Sequence, residues 1–377
     1  MSLTKVPLNA ITAKRIGTTA NTTSGANVVL LANVAPGSDL IGNQVGLLKG
    51  TFAEFVPFHY QGETQGYYGN AKNTSSNPTI LNIYKVSFAS DTPASDTGID
   101  FLSFPEGAEG ASGVSSSTNG YMIGHRQGIS GDTGQIAKFP FALDANMSDV
   151  GELVAPSGAN FTSYGSAMST TEGYVYGGSE PGPYSASSPN NAYAINRIQK
   201  FPFVTDTSAS DAADLSQSRA FTGGGSTIQS LSFGYAVAGL DNELSAVNTI
   251  DKFSLTSDTN ATDVGETTHT AEGDFTTASS QTNGYKLAGL PGYGTTTIDK
   301  IPFSSDTSAT DVGETTQGGT RVGGACGKVA GYIFGGRTGP SNYNDVIQKL
   351  SYSSDTSTSD VAELHAPFAW GWSHAAN

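Results

Sequence analysis

Apolar residues along this chain come in short bursts, never in long amphipathic stretches. The most regular burst begins with Ile and reads Ile-x-Lys, apolar, Pro or Ser, apolar, and it is followed by Asp-x4-Asp. It occurs six times, starting at Ile83, Ile136, Ile198, Ile250, Ile298 and Ile347, with spacings of 53, 62, 52, 48 and 49 residues. A second burst precedes each copy: Gly66-Tyr67, Gly120-Tyr121, Gly173-Tyr174, Gly234-Tyr235, Gly284-Tyr285 and Gly331-Tyr332, each opening a short strand that ends in or near Gly. A run of four to six residues that is apolar on both faces reads as a strand buried between two layers.

A period near 50 that holds several short strands is the signature of a propeller blade. Four strands are expected per blade. Strand a is small and polar, as in residues 113–117 and 276–280, and lies innermost, where six strands crowd the axis. Strand b is the Gly-Tyr element, strand c the Ile-x-Lys element, and strand d follows the second Asp. The first Gly-Tyr strand has no strand a before it, whereas the chain continues past Asp360 far enough to supply one. Residues Trp370–His374 are therefore expected to pair beside Gly66 and close the ring, which removes exposed sheet edges.

Residues 63–377 are expected to form this all-β, six-bladed propeller, and residues 1–62 a short N-terminal arm. The arm carries Lys5, Lys14, Arg15 and Lys49 against Asp39 within its first 50 residues, a local charge of +3. The net charge of the chain is −15, so the remainder holds −18. The arm is too small for its own core and is read as an anchor to a partner subunit.

The strand GYIFGG followed by NDVIQKLSY resembles the kelch repeat, whose second strand ends in di-glycine. Only Gly177-Gly178 and Gly335-Gly336 keep that pair, and the later tryptophan of the repeat is absent. The element IDKFSLTSDTNATDVGE is similar to kelch-like repeats in virion proteins of tailed phages of marine bacteria and cyanobacteria. The opening MSLTKVPLNAIT resembles the starts of their tail-fibre and tail-associated proteins. That resemblance implies a structural protein of the virion, an extracellular particle, in which the propeller serves host attachment or adhesion within an oligomeric assembly.

Composition changes the picture only by exclusion. A strongly acidic chain is a poor partner for nucleic acid or anionic membranes, and no apolar run approaches a membrane span. The N-terminus lacks the apolar core of a secretion signal. One cysteine, Cys326, allows no intrachain disulfide and reads as inner-strand packing. The Asp pairs (Asp91/Asp96, Asp144/Asp149, Asp206/Asp211, Asp258/Asp263, Asp306/Asp311, Asp355/Asp360) lack the further ligands and Gly of a calcium loop and read as turn formers. The six lysines (Lys85, Lys138, Lys200, Lys252, Lys300, Lys349) are expected to reach an Asp of the same repeat. Five scattered histidines show no metal spacing. No nucleophile–base pair is evident, so neither catalysis nor a cofactor is expected.

Loop parity places the b–c and d–a loops on one face and the a–b and c–d loops on the other. The c–d loops are near-identical, while the b–c loops differ in length. The longest, Ser179–Arg197, carries Tyr184 and Tyr193. Together with Arg126, Arg197, Tyr293, Arg337 and Tyr343 it makes the expected binding face, since Tyr and Arg favour interfaces. The expected partners are virion proteins held by the arm, and a host surface polysaccharide or protein at the propeller. An extracellular bacterial adhesin or lectin-like propeller is the alternative.

Overall fold

A computed structural model places the chain in two compact units, Met1–Phe58 and His59–Asn377. It describes residues 61–377 apart from 73–78, 101–110, 126–132, 143–144, 155–164, 182–191, 221–227, 244, 272, 274, 290–294, 340, 368, 370–371 and 377. Before residue 61 it describes two short strands, Arg15–Ile16 and Val28–Val29, which pair antiparallel. The remainder of the expected arm, with Lys5, Lys14 and Lys49, lies outside the described residues.

The larger unit is a six-bladed β-propeller. Blades 2 and 5 are four-stranded meanders in the order a-b-c-d: Ser112–Ser115, Asn119–His125, Thr133–Pro140 and Ser148–Glu152, then Thr276–Ser279, Asn283–Leu287, Thr297–Pro302 and Thr310–Glu314. Blade 6 repeats the order with Gly323–Cys326, Ala330–Phe334, Val346–Ser351 and Ser359–Glu363. Blade 3 is built from Gly165–Met168, Glu172–Tyr176, Ala192–Pro202 and Ser210–Arg219. Blade 4 has strands b to d at Phe233–Leu240, Ala246–Ser254 and Thr262–Ala271, and on its inner side Gln229 bridges to Gly234, residues 221–227 lying outside the described residues. Blade 1 joins the two ends of the domain: Trp372–Ala376 pairs antiparallel with Gln65–Lys72, followed by Thr79–Ser87 and Ser95–Asp100. The closing strand is thus the expected one, displaced by two residues from Trp370–His374. His374 lies opposite Tyr67 and Ala375 opposite Gly66.

The Gly-Tyr and Ile-x-Lys motifs meet in every blade. Tyr67 pairs with Lys85, Tyr121 with Lys138, Tyr174 with Lys200, Tyr235 with Lys252, Tyr285 with Lys300, and Tyr332 with Lys349. Cross-strand partners project to the same side, so each blade presents one Tyr and one Lys together to the blade that follows.

The tyrosine fills the gap between blades. Tyr67 stacks on Phe141, Tyr121 on Phe203, Tyr235 on Phe303, Tyr285 on Tyr352 and, across the closure, Tyr332 on Phe88, at centroid distances of 4.6–5.5 Å. The phenol of Tyr121 donates to the carbonyl of Phe203, that of Tyr174 to Leu255 and that of Tyr332 to Phe88. The preceding glycine allows this approach. A Cβ at Gly331 would stand 2.5 Å from Ala278 Cβ of blade 5, and one at Gly284 2.3 Å from Ile228 Cγ2 of blade 4. The core is accordingly a ring of clusters between blades, such as Tyr68, Val86 and Phe88 with Ala325, Tyr332 and Phe334.

The lysines correct one expectation. Their partners are aspartates of the next blade, not of the same repeat: Lys138 with Asp206, Lys200 with Asp258, Lys252 with Asp306, Lys300 with Asp355 and, across the closure, Lys349 with Asp91. Asp144, which the same pattern assigns to Lys85, lies outside the described residues. A mid-strand lysine points across the blade gap, and the loop it reaches first is the neighbour's. Same-repeat reasoning could not see that neighbour.

The second Asp forms the expected turn. The backbone N–H groups of Gly98, Gly151, Gly265 and Gly313 donate to Asp96, Asp149, Asp263 and Asp311 Oδ1 at 2.8–3.1 Å. In the same place the register of strands c and d slips by one residue in blades 2–6 and by two in blade 1, a recurrent β-bulge. The bulge pushes strand d against the next blade's c–d loop, where a Cβ on Gly265 would lie 2.6 Å from Ser308 N. Ala209, Ala309 and Thr358 N–H then donate to Glu152, Glu266 and Glu314 carbonyls. Ser208, Ser308 and Ser357 Oγ accept from the same three Glu N–H groups.

Candidate functional site

The two faces of the propeller are built differently. On the a–b and c–d face, the first Asp of the c–d loop takes the preceding blade's lysine in blades 1 and 3–6, the second Asp holds its own bulge in blades 1, 2, 4 and 5, and a Ser or Asn of the loop accepts from the preceding strand d in blades 3–6. In blades 2–5 the a–b turn closes on itself: Ser116, Ser169, Ser230 and Ser280 Oγ accept the N–H groups two and three residues on. The repeated polar residues of that face are therefore structural, which explains why the c–d loops hardly vary.

The b–c and d–a face carries the differences between blades. In blade 3 the long b–c loop continues the blade as a two-stranded ribbon, with Ser179 opposite Ala194, Glu180 opposite Tyr193 and Pro181 opposite Ala192. In blade 4 the loop is a tight polar turn in which Asp241 Oδ1 accepts the N–H groups of Glu243 and Ser245. In blade 6 it is a small hairpin, Arg337–Gly339 with Asn342–Tyr343.

Buried polar staples lie beneath this face, all at the x position of Ile-x-Lys. Gln199 Oε1 accepts Val154 N–H, Asp251 accepts Ser216 N–H and Oγ–H, Asp299 accepts Thr268 N–H, and Gln348 Oε1 accepts Gln317 N–H. Each satisfies the backbone at the end of the preceding blade's strand d. Where the residue is Asp, a buried cation accompanies it: Arg219 Nη2 lies 2.8 Å from Asp251 Oδ2 and Lys286 Nζ 3.3 Å from Asp299 Oδ2. Both members of each pair are almost wholly buried. Burial pulls the Arg219 and Lys286 pKa values down, and the adjacent carboxylates oppose it. Arg219 also donates to the carbonyls of Ala236 and Thr249. These staples are structural groups, bonded within the protein except at Arg219 Nε, which is buried without a hydrogen-bond partner.

The sequence-predicted binding residues divide accordingly. Arg126, Tyr184 and Tyr293 lie outside the described residues, as does the side chain of Tyr193. Arg197, expected to be exposed, is half-buried; it donates to the Val154 carbonyl of blade 2 and stands 3.7 Å from Asp211. Arg337, likewise expected to be exposed, is 8% exposed, because its strand is drawn onto Thr320 by two backbone hydrogen bonds. Its guanidinium lies 5.4 Å from the ring of Tyr343, which is half-buried. Only this last pair is brought together. Sequence reasoning missed the Asp241–Ser245 turn and the exposed Thr268–His269 step, whose Oγ1 and Nδ1 are 2.9 Å apart. The run Leu240-Asp-Asn-Glu-Leu was the available signal for the former.

Among the described residues no group of three or more His, Cys, Asp or Glu is placed to hold a metal ion, and no helix is long and apolar enough to cross a membrane. Compared with known proteins, the chain matches no family model and no curated protein.

Proposed function

We propose that this protein is a non-enzymatic structural and binding component of a tailed-phage virion, with the propeller displaying its b–c face for attachment to a host surface or a neighbouring virion protein. The observation that carries this reading is the asymmetry of the two faces. Among the described residues, most of the ionisable and hydroxyl groups that recur on the a–b and c–d face bond within and between blades, whereas the b–c side differs from blade to blade. A specific contact needs a surface that differs from point to point, and six similar loops offer little discrimination. The likeness of the repeat to kelch-like virion repeats supplies the setting, and the basic N-terminal segment the means of anchoring. An acidic protein of this kind disfavours nucleic acid and anionic membranes as partners.

The blade 3 ribbon is the natural test. Shortening the loop between Pro181 and Ala192 to a tight turn leaves Ile195, which donates to the Gly178 carbonyl, in place. Host adsorption or partner binding should fall while the melting temperature stays within a few degrees. Unchanged binding with a folded variant rejects the ribbon as the recognition element.

A further inference from the structure

Residues 61–64 fix where the chain enters the propeller. Gln61 Nε2 donates to the Ser279 carbonyl at the end of blade 5's inner strand. Gly62 N–H donates to Cys326 and its carbonyl accepts Lys328 N–H, so it pairs with the a–b turn of blade 6. Ser279 Oγ accepts Gln229 N–H from blade 4. The inner ends of blades 4, 5 and 6 are thus bound around residues 61–62 at the a–b end, and the polypeptide that precedes residue 61 joins the propeller there.

The same end carries the exposed large hydrophobics of the described residues. Val329 (67% exposed) lies in the a–b turn of blade 6, directly after the Lys328 that Gly62 holds. Leu231 (43%) lies in the a–b turn of blade 4, and Phe233 (38%) opens strand b after it, with Lys252 Nζ 4.5 Å from its ring centroid. Val204 (84%) lies in the c–d loop of blade 3 on that face. The exposed large hydrophobics of the described residues thus fall on turns and strand ends of one face, and exposed apolar groups on one side of a protein mark an interaction surface. The rim of the face is acidic, since the six c–d loops supply twelve aspartates against six strand lysines.

We infer that this a–b end is a docking surface for a protein subunit whose contact patch is apolar and ringed by Lys and Arg. The propeller then stands on its uniform face and turns its variable face outward. This rests on the virion reading above. Charge complementarity selects a basic rim on the partner.

The experiment uses full-length protein in assembled particles. Val329→Asp alone, Leu231→Asp with Val329→Asp, and Ser359→Lys on the exposed outer strand of blade 6 are each introduced, and the copy number in purified particles is measured beside a thermal melt of the free protein. The Val329 variant should be incorporated about tenfold less, the factor expected when one buried Val-sized contact is replaced by a charge. The double variant should be lost further, and the Ser359 variant incorporated normally. The Val329 side chain is largely exposed, so that variant should melt as the wild type does and decides the matter even where the double variant unfolds. Normal incorporation of a folded Val329 variant overturns this inference and leaves the virion reading intact. Absence of the wild-type protein from particles overturns both.

Discussion

Two kinds of ion pair occupy this protein, and burial separates their worth. Lys349 bonds both oxygens of Asp91 at 2.7 and 2.9 Å across the ring closure, with the side chains 23% and 35% exposed. A partly solvated pair of this kind contributes at most about 1 kcal/mol, so Lys349→Ala should lower stability by no more than that. Arg219 and Asp251 are fully buried. Arg219→Met strands a buried carboxylate and should cost about 3–5 kcal/mol. Adding Asp251→Leu should recover much of the loss, because the apolar pair carries no desolvation penalty, although Ser216 then loses its acceptor. Denaturant unfolding of the three variants checks the order; a Lys349 variant as damaging as Arg219→Met contradicts it. Glycine supplies a third residue-scale test. A methyl at Gly331 meets Ala278 Cβ, which has no rotamer to yield, so Gly331→Ala should destabilise by about 1–3 kcal/mol through overpacking. A neutral result would mean that blades 5 and 6 can separate slightly without loss.

The critical element is the last strand. Among the described residues, Trp372–Ala376 is the one inner neighbour of Gln65–Lys72. Without it, five backbone positions of a buried strand lose their partners, and each unsatisfied buried group costs about 1–3 kcal/mol. Deleting residues 372–377 should lower the melting temperature by on the order of 10 °C or abolish the cooperative transition. An unchanged melt would show that the ring is closed by other contacts. In blade 4, Gln229 Oε1 accepts Met168 N–H and its Nε2 donates to the Met168 carbonyl, so one side chain ties the inner positions of blades 3 and 4 together.

The molecule as a whole should be alkali-sensitive. Burial raises the pKa of Tyr121 and of Tyr235 from 10.0 to about 12, and raises Tyr174, Tyr285 and Tyr332 as well. A group whose folded pKa lies above its unfolded value contributes stability that is complete below pH 10 and lost as pH climbs through the folded pKa. These phenols sit in successive blade gaps, so their ionisation should be coupled to one unfolding event. Tyrosinate absorbance should stay low past pH 10 and rise together with loss of the β-sheet signal, approaching pH 12. Independent, gradual titration from pH 10 in a folded protein would refute the coupling.

The sequence by itself determined the number of blades, the four-strand order and the closure by the C-terminal strand. These follow from short-range patterns that recur at a fixed period, and the leftover pieces at the two ends fit together. It also singled out the Tyr, Lys and Asp of each repeat. Only the tertiary structure decided where they reach, because a propeller's energetics lie between repeats while a repeat motif describes one repeat. Hence the lysines bind the next blade's Asp, and Val-Gly-Glu is a bulge pressed on the neighbour's loop. Hence too Arg197 and Arg337, which composition marks as binding residues, are held within the structure by the Val154 carbonyl and by the pairing of Arg337 with Thr320. Side-chain type states what a residue can bond. Packing decides whether that capacity is left for another molecule, and on the a–b and c–d face of this propeller the repeated polar residues have spent it on the protein itself.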